Sequence, residues 1–523
     1  MMVSEYPPVI SSEEEVELLE VASDYALSIG LVLRPVPVPV AGPGSTSLDS
    51  TRAIHAPYSL YPTPFPRRLF QEALALQPIY NELYARITTS HAFLARVIGG
   101  TVQRVDEFQR QLYDIYSTVL QEGIKQPISL GIFRSDYLVH APADSRPQDW
   151  TLKQVEFNTI SSSFGALSTR VSQLHRYLLE TDKYPPGYPL LDPSSSDRLP
   201  ANQALEGIAR GLVDAHRAYP NPKHAKIMMV IQDGERNAFD QRLLEWEVTN
   251  KHKVPLVRVP FSQLRTTLSL DPTTCALLYS PRSNSTPIEI SVVYYRTAYS
   301  PTDYYTSQEW STRLLVERSL AIKCPSVAMQ LAGAKKVQQV LSDRTQLGQF
   351  IDEPELLNRI EKSFVGLESM EPNGVGERFA KSHPERYVLK PQREGGGNNI
   401  YRTDIPPFLD QLAQRDLERQ QQQGEEGQDQ VKGQEGYILM ELIEPPRDSE
   451  QVLVKAGQAV ANRDQVVSEL GIYGIMLLRE QAGEQCHVLK NETVGHLLRT
   501  KGRDSDEGGI AVGFSVLDSP LLV

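Results

Sequence analysis

Three consecutive glycines, Gly395, Gly396 and Gly397, follow the strand-like run YVLKPQ and lead into NNIY. Without a Cβ, such residues let backbone amides close on phosphate oxygens. A lone GGG is more often a flexible turn. The neighbours change that reading. Lys390 closes the preceding strand within reach of a phosphate, and Glu394 offers a carboxylate to Mg2+, a hard cation that takes oxygen ligands. No G-x-x-x-x-G-K-[ST] occurs, so this is not a Walker A loop, and it is not a Rossmann turn. The predicted chemistry of this loop is the handling of phosphate together with Mg2+.

A second segment, QVEFNTISSSFGALS, reads as a strand running into a hydroxyl-rich loop. Alternate strand residues share a face, so Glu156 and Asn158 lie together, while Val155 and Phe157 are expected in the core. One carboxylate and one amide carbonyl make a partial Mg2+ site that leaves positions for ATP oxygens and water. A polar strand face toward solvent is the bland alternative. Arg134, Arg296, Arg499 and Lys501 read as cations at the ends of strand-like segments. Arginine there can grip carboxylate or phosphate with two parallel hydrogen bonds.

These groups need a large scaffold. The 523 residues have room for about three domains of roughly 150 residues each. Apolar residues at 40% and charged residues at 23% are ordinary for a globular protein. A net charge of −12 argues against a nucleic-acid or anionic-membrane surface, so an anionic substrate must be held by local basic groups. The sparse cysteines, Cys275, Cys324 and Cys486, exclude a disulfide framework and suit a reducing, cytoplasmic setting. The opening MMVSEYPPVISSEEEVE has no basic n-region or apolar h-region, so no secretory signal is expected, and no apolar run reaches the length of a membrane span.

Along the chain, Ser11 or Ser12 can cap a helix opening with Glu13 to Glu15. A Pro-rich loop follows. Val105, Phe108, Leu112, Ile115 and Val119 predict a helix over 101–123. LGIFRSDYLVH and TLKQVEFNTI read as antiparallel neighbours. KIMMVIQ, VPLVRVP and EISVVYYRT alternate with helical stretches, as in a parallel α/β unit. The expected organisation is a mixed α/β chain: 1–224 as a helical and antiparallel-sheet part, 225–333 as a substrate lobe, and 334–523 as a nucleotide part. The polar, Gln-rich 414–435 stretch reads as a surface excursion.

In order along the chain, VEFNTISSSFG, ERNAFDQR, VVYYRTAY, QLAGAKKVQQ, LKPQREGGGNNIY, ILMELIEP, SELGIYG and VGHLLRTK make the sequence resemble eukaryotic glutathione synthetase from about Arg67 to Val523. The resemblance implies an ATP-grasp fold with an inserted substrate lobe, and a homodimer with two Mg2+ per site. It implies ligation of γ-glutamylcysteine to glycine through an acyl phosphate. It places magnesium ligands at Glu156, Asn158 and Glu394. Nucleotide contacts fall on Lys335, Lys390, Glu394, Gly395, Gly396, Gly397, Asn398, Asn399, Tyr401, Met440, Glu441, Leu442, Ile443, Glu469, Lys501 and Glu507. γ-Glutamylcysteine contacts fall on Arg134, Ser161, Ser163, Glu235, Asn237, Gln241, Arg296 and Tyr299, with Arg499 on substrate carboxylate and Ile510 and Ala511 in a glycine-rich lid.

Arg134, Lys335, Lys390 and Arg499 are the implied catalytic cations. Thr297 and Ala298 stand where the family commonly has Asp-Gly, and Ala511 and Val512 where it often has two alanines. Plant relatives that use β-alanine differ at that second pair, which leaves β-alanine or serine open as acceptors beside glycine. The alternative of another class is a non-catalytic nucleotide- or thiol-binding homologue.

Overall fold

The computed structural model describes residues 6–39, 46–47, 49, 51–282, 285–393, 397–423, 432–505, 509–510 and 513–523. Helix α1 (Ser12–Ser28) starts in a capping box: the Ser11 hydroxyl accepts from the Glu14 amide, and the Glu14 carboxylate accepts from the Ser11 amide. Strand β1 (Tyr58–Ser59) and helix α2 (Arg67–Thr89) follow. The helix expected over 101–123 is broken at Asp106, whose backbone is extended and whose carboxylate caps α3 (Glu107–Glu122) by accepting from the Gln109 amide at 2.9 Å. Periodicity saw the apolar face but not the cap inside it.

Strands β2 (Ile128–His140) and β3 (Thr151–Asn158) pair antiparallel as expected, and α4 (Gly165–Glu180) leaves the loop after β3. The parallel unit comprises β4 (Ala225–Ile231), α5 (Ala238–Trp246), β5 (Leu256–Pro260), β6 (Ile288–Tyr295) and β7 (Ile322–Cys324). It does not form a separate sheet, because β7 pairs with β2 at Lys323 and Ser129. After α6 (Lys335–Leu341) come β8 (Leu367–Ser369), β9 (Tyr387–Pro391), β10 (Ile400–Tyr401), α7 (Ile405–Gln423) and β11 (Tyr437–Glu441). Their order β8-β11-β9-β10 makes a second, antiparallel sheet over a small core that includes Leu389, Ile405 and Leu439. Much of the Gln-rich stretch therefore belongs to α7; residues 424–431 lie outside the described residues.

The last strands are β12 (Glu450–Val454), β13 (Ala461–Gln481), β14 (Gln485–Gly502) and β15 (Ser515–Asp518). The large sheet runs β5-β4-β6-β7-β2-β13-β12-β1-β15-β14, and β14 also pairs with β13, closing that end on itself.

Both faces of β2 are covered. Phe133 and Tyr137 join Leu470, Ile472 and Phe157 in the core beneath α2, while Ile128, Leu130 and Ile132 join the core that holds α4. Phe157 stacks on Tyr84 at 3.9 Å and on Tyr80 at 5.6 Å, which pins β3 from behind. Each such pair adds about 0.5–1.5 kcal/mol beyond area burial.

Strict alternation placed Val155 in the core, but Gln154 is buried there instead and Val155 is half-exposed. A β-bulge explains it: Asp136 opposes Glu156 and Tyr137 opposes Gln154, so Val155 is the unpaired extra residue.

Candidate active site

Arg134 and Asp136 are two apart on β2 and share the face that Ile128, Leu130 and Ile132 begin. Directly opposite residues in antiparallel pairs also share a face. The register therefore gathers Asn158 and Glu156 from β3, Gly471 and Glu469 from β13, and Arg499 from β14 beside them. The sheet face thus turns from apolar to charged at Arg134. Sequence reading put this arginine at a strand end; it lies mid-strand, with neighbours on both sides.

Asp136 is wholly buried and accepts from Arg134 Nε at 2.6 Å and Nη2 at 2.8 Å. It also accepts from Asn158 Nδ2 at 3.0 Å and Arg499 Nη2 at 3.1 Å. Arg499 pairs further with Glu469. Burial works against the charge of Arg134, yet the Asp136 carboxylate outweighs it and holds the guanidinium firmly protonated. A Cβ on Gly471 would sit 2.7 Å from Asp136 Oδ1 and 2.8 Å from Arg134 Cδ, so only glycine leaves room for this pair.

Lys335, at the start of α6, donates to Glu156 Oε2 at 2.6 Å. Lys390, from the smaller sheet, donates to the Val155 carbonyl at 3.2 Å. The bulge thus supplies one contact between the two sheets. Burial alone would raise the Glu156 pKa, but the charges of Lys335 and Lys390 outweigh it and hold the carboxyl well below its ordinary range.

The loop after β3 reaches the second cluster. Ser161 has φ +54° and Phe164 φ +69°. The Ser163 carbonyl accepts from Arg134 Nη1 at 3.4 Å and from the Tyr473 hydroxyl. Asp240 on α5 accepts from the amides of Phe164, Ala166 and Leu167 at 3.0, 2.9 and 3.2 Å, closing the start of α4. It also accepts from Arg296 Nη2 at 2.9 Å. Burial opposes the charge on Arg296 as well, and Tyr294 and Asp240 sustain it. Glu235 accepts from the Asn237 amide at 2.6 Å and from Gln241 Nε2 at 3.1 Å. The Tyr299 amide donates to Asp303 Oδ2 at 3.1 Å. Ala298, inside this turn, has φ +67°, a conformation that suits glycine better.

The comparisons with known proteins bear on this arrangement. The family model for the eukaryotic glutathione synthase ATP-binding domain matches residues 12–522. The chain is 37% identical to glutathione synthetase of Dictyostelium discoideum, covering 97% of this chain and 98% of that one. It is 36% identical to the Homo sapiens glutathione synthetase, over 99% of each. The chain belongs to the eukaryotic glutathione synthetase family. It is an ATP-dependent ligase with glutathione synthetase function. A glutathione synthetase-like effector from Globodera pallida, in apo form, superposes with a TM-score of 0.71 at 22% identity, covering 98% of both chains, and shows the same fold.

In this glutathione synthetase family member, Lys390, Tyr401, Met440 and Glu441, expected on the nucleotide side, fall on the smaller sheet, whereas Glu469 and Lys501, expected there too, lie on β13 and β14 of the large one. Met440 and Glu441 end β11, and Leu442 follows with its amide donating to the Arg386 carbonyl at 2.8 Å. Ile443 comes next in the chain. Glu441 also pairs with Arg386. The Tyr401 hydroxyl accepts from Asn399 Nδ2 at 3.2 Å, Asn398 precedes it, and Gly397 has φ +76°. Lys501 lies on β14 two residues after Arg499, opposite Val467 and Ser515.

Glu394, Gly395, Gly396, Glu507 and Ala511 lie outside the described residues. Ile510, expected in the lid, is 2% exposed and packs in the apolar core that holds α4. Sequence reading passed over Asp136 and Asp240. The only signal for Asp136 was its place two residues beyond Arg134 in a strand; Asp240 gave none, because its partners, three backbone amides and Arg296, lie 56–76 residues away.

Proposed function

We propose that this ligase activates the cysteinyl carboxylate of γ-glutamylcysteine with ATP and transfers the acyl group to glycine. The observation that carries the reading is the single charged sheet face on which Arg134, Asn158, Glu156 and Arg499 meet Lys335 and Lys390. A carboxylate oxygen attacks the γ-phosphorus, ADP leaves, and an acyl phosphate forms. The glycine nitrogen then attacks the acyl carbon; the C–N bond forms, inorganic phosphate leaves, and the amine gives up its proton. Arg134 holds the attacked carboxylate and the oxyanion that develops on it, with Arg499 beside it. Lys335 and Lys390 share the phosphate charge, since phosphoryl transfer depends on positioning and neutralisation more than on covalent help. Arg296, Glu235, Asn237, Gln241, Tyr299, Ser161 and Ser163 form the γ-glutamylcysteine side.

Magnesium fits the residues present. Asn158 Nδ2 is committed to two acceptors, the Asp136 carboxylate and the Arg134 carbonyl, so the Asn158 oxygen is the atom left to offer. With the Glu156 carboxylate this makes an all-oxygen donor set, and Glu394 is the third ligand of the reading. Mg2+ typically keeps waters and substrate phosphates instead of taking a full protein cage. When bound, it supplies charge neutralisation between the ATP phosphates. The reading further includes a homodimer in the cytoplasm.

The test is an assay of the purified protein with γ-glutamylcysteine, ATP and Mg2+, following ADP and tripeptide with glycine, β-alanine or serine. Glycine is expected to be preferred. A strong preference for β-alanine would replace the acceptor, and ADP release without any tripeptide would overturn the reading.

A further inference from the structure

We propose that Asp136 is a positioning residue for the cation site: it fixes the Asn158 amide with its oxygen toward the metal while balancing Arg134 and Arg499. The inference rests on the magnesium reading above and assigns a role to a residue that the reading does not use.

Asp136 has no exposed surface, and its carboxylate accepts from side chains. Arg134, Asn158 and Arg499 all donate to it, three of these bonds converging on Oδ2. The acceptors of Asn158 Nδ2 are a carboxylate and a backbone carbonyl, neither of which can donate, so the amide cannot reverse without placing oxygen against oxygen. A neutral ligand is thereby oriented by an anion behind it, as outer partners orient first ligands at many metal sites. The same carboxylate offsets guanidinium charge that would otherwise repel a cation. Gly471 behind it is part of the device, since any Cβ there would collide with Asp136 and Arg134.

Asp136→Asn removes one charge and turns an acceptor into a donor among donor groups. Adding Asn158→Asp returns the charge, gives the amide at position 136 an acceptor, and still presents an oxygen to the cation. The experiment titrates Mn2+ into the full-length protein with ADP present, reading free Mn2+ by its EPR signal, for the wild type, Asp136→Asn and the double variant. The KM for Mg2+ in ADP release is measured in parallel.

Asp136→Asn is expected to weaken Mn2+ binding about 10- to 100-fold. The double variant is expected to recover most of that loss. Wild-type Mn2+ affinity in Asp136→Asn, or a double variant that binds no more tightly than the single one, would overturn the proposal. If Asp136→Asn proves unfolded by its melting curve, the double variant decides alone: it must fold and bind Mn2+ near the wild-type affinity. The Mn2+ readout is independent of product, so a wild type that makes no tripeptide would sink the functional reading and leave this one standing or falling by itself.

Discussion

Arg134 and Arg296 are buried alike, at 5% and 4% exposure, and each is neutralised by an aspartate that is itself out of water. Their aspartates differ in what else they hold. Asp240 takes three backbone amides from the start of α4, so it belongs to the architecture as much as to the site. Among the described residues, the Asp136 carboxylate takes side chains alone, from three different strands. The same ion pair thus serves two ends. One fixes where a loop runs; the other fixes how neighbouring side chains face.

The largest effect should come from the architectural member. Asp240→Ala leaves Arg296 buried without its carboxylate and three amides without their acceptor. Breaking a buried pair in this way costs about 3–5 kcal/mol. Urea unfolding should register that loss, and a variant within 1 kcal/mol of the wild type, on the order of ordinary surface changes, would erase the distinction.

Arg134→Lys keeps the charge but loses the two-pronged grip on Asp136. Turnover is expected to fall roughly 100-fold, in the range for loss of an oxyanion donor, with the melting midpoint little moved. An equal collapse of stability would make the two arginines alike after all.

A pH titration separates both pairs from a third buried group. Burial pushes His496 down to about 3, and it packs edge-on against Phe70 at 5.2 Å. The unfolded chain binds a proton that the folded chain refuses. The stability is therefore present above about 6.5, the ordinary histidine value, and is lost as pH falls toward the folded value. Between pH 6.5 and 5 the loss is about 2 kcal/mol. His496→Phe should flatten this limb of the stability curve, measured by urea midpoints across pH. An unchanged slope would shift the acid sensitivity elsewhere.

The smallest effect belongs to the Arg296 turn. Ala298→Gly should relieve the φ of +67° and raise stability by up to about 1 kcal/mol. A fall in the melting midpoint would mean that the packing of the Ala298 methyl outweighs the strain.

What the sequence disclosed follows from range. The α1 cap, the β2–β3 hairpin and the parallel strands rest on local pattern, and these elements are present. Glu156 and Asn158 were legible as a pair because they are two apart on a strand. The bulge at Val155 was not, since nothing in QVEFN distinguishes an extra residue from an alternating one. Nor was the pairing of β7 with β2, which joins a region expected to stand apart to the central sheet. The Asp136 and Asp240 contacts needed a register or a helix start to be known first.

The position of β2 has a consequence for how the chain is made. On one edge it meets β3, which leaves the ribosome soon after it. On the other it meets β13, synthesised over 300 residues later, and the Asp136–Arg499 bond spans 363 positions. During translation a thirteen-residue, largely apolar strand therefore waits with one edge unpaired and an ion pair half-assembled. Such an edge invites pairing with other chains. Slow synthesis or truncation before β13 should send this protein to aggregation sooner than damage at either end of the sheet.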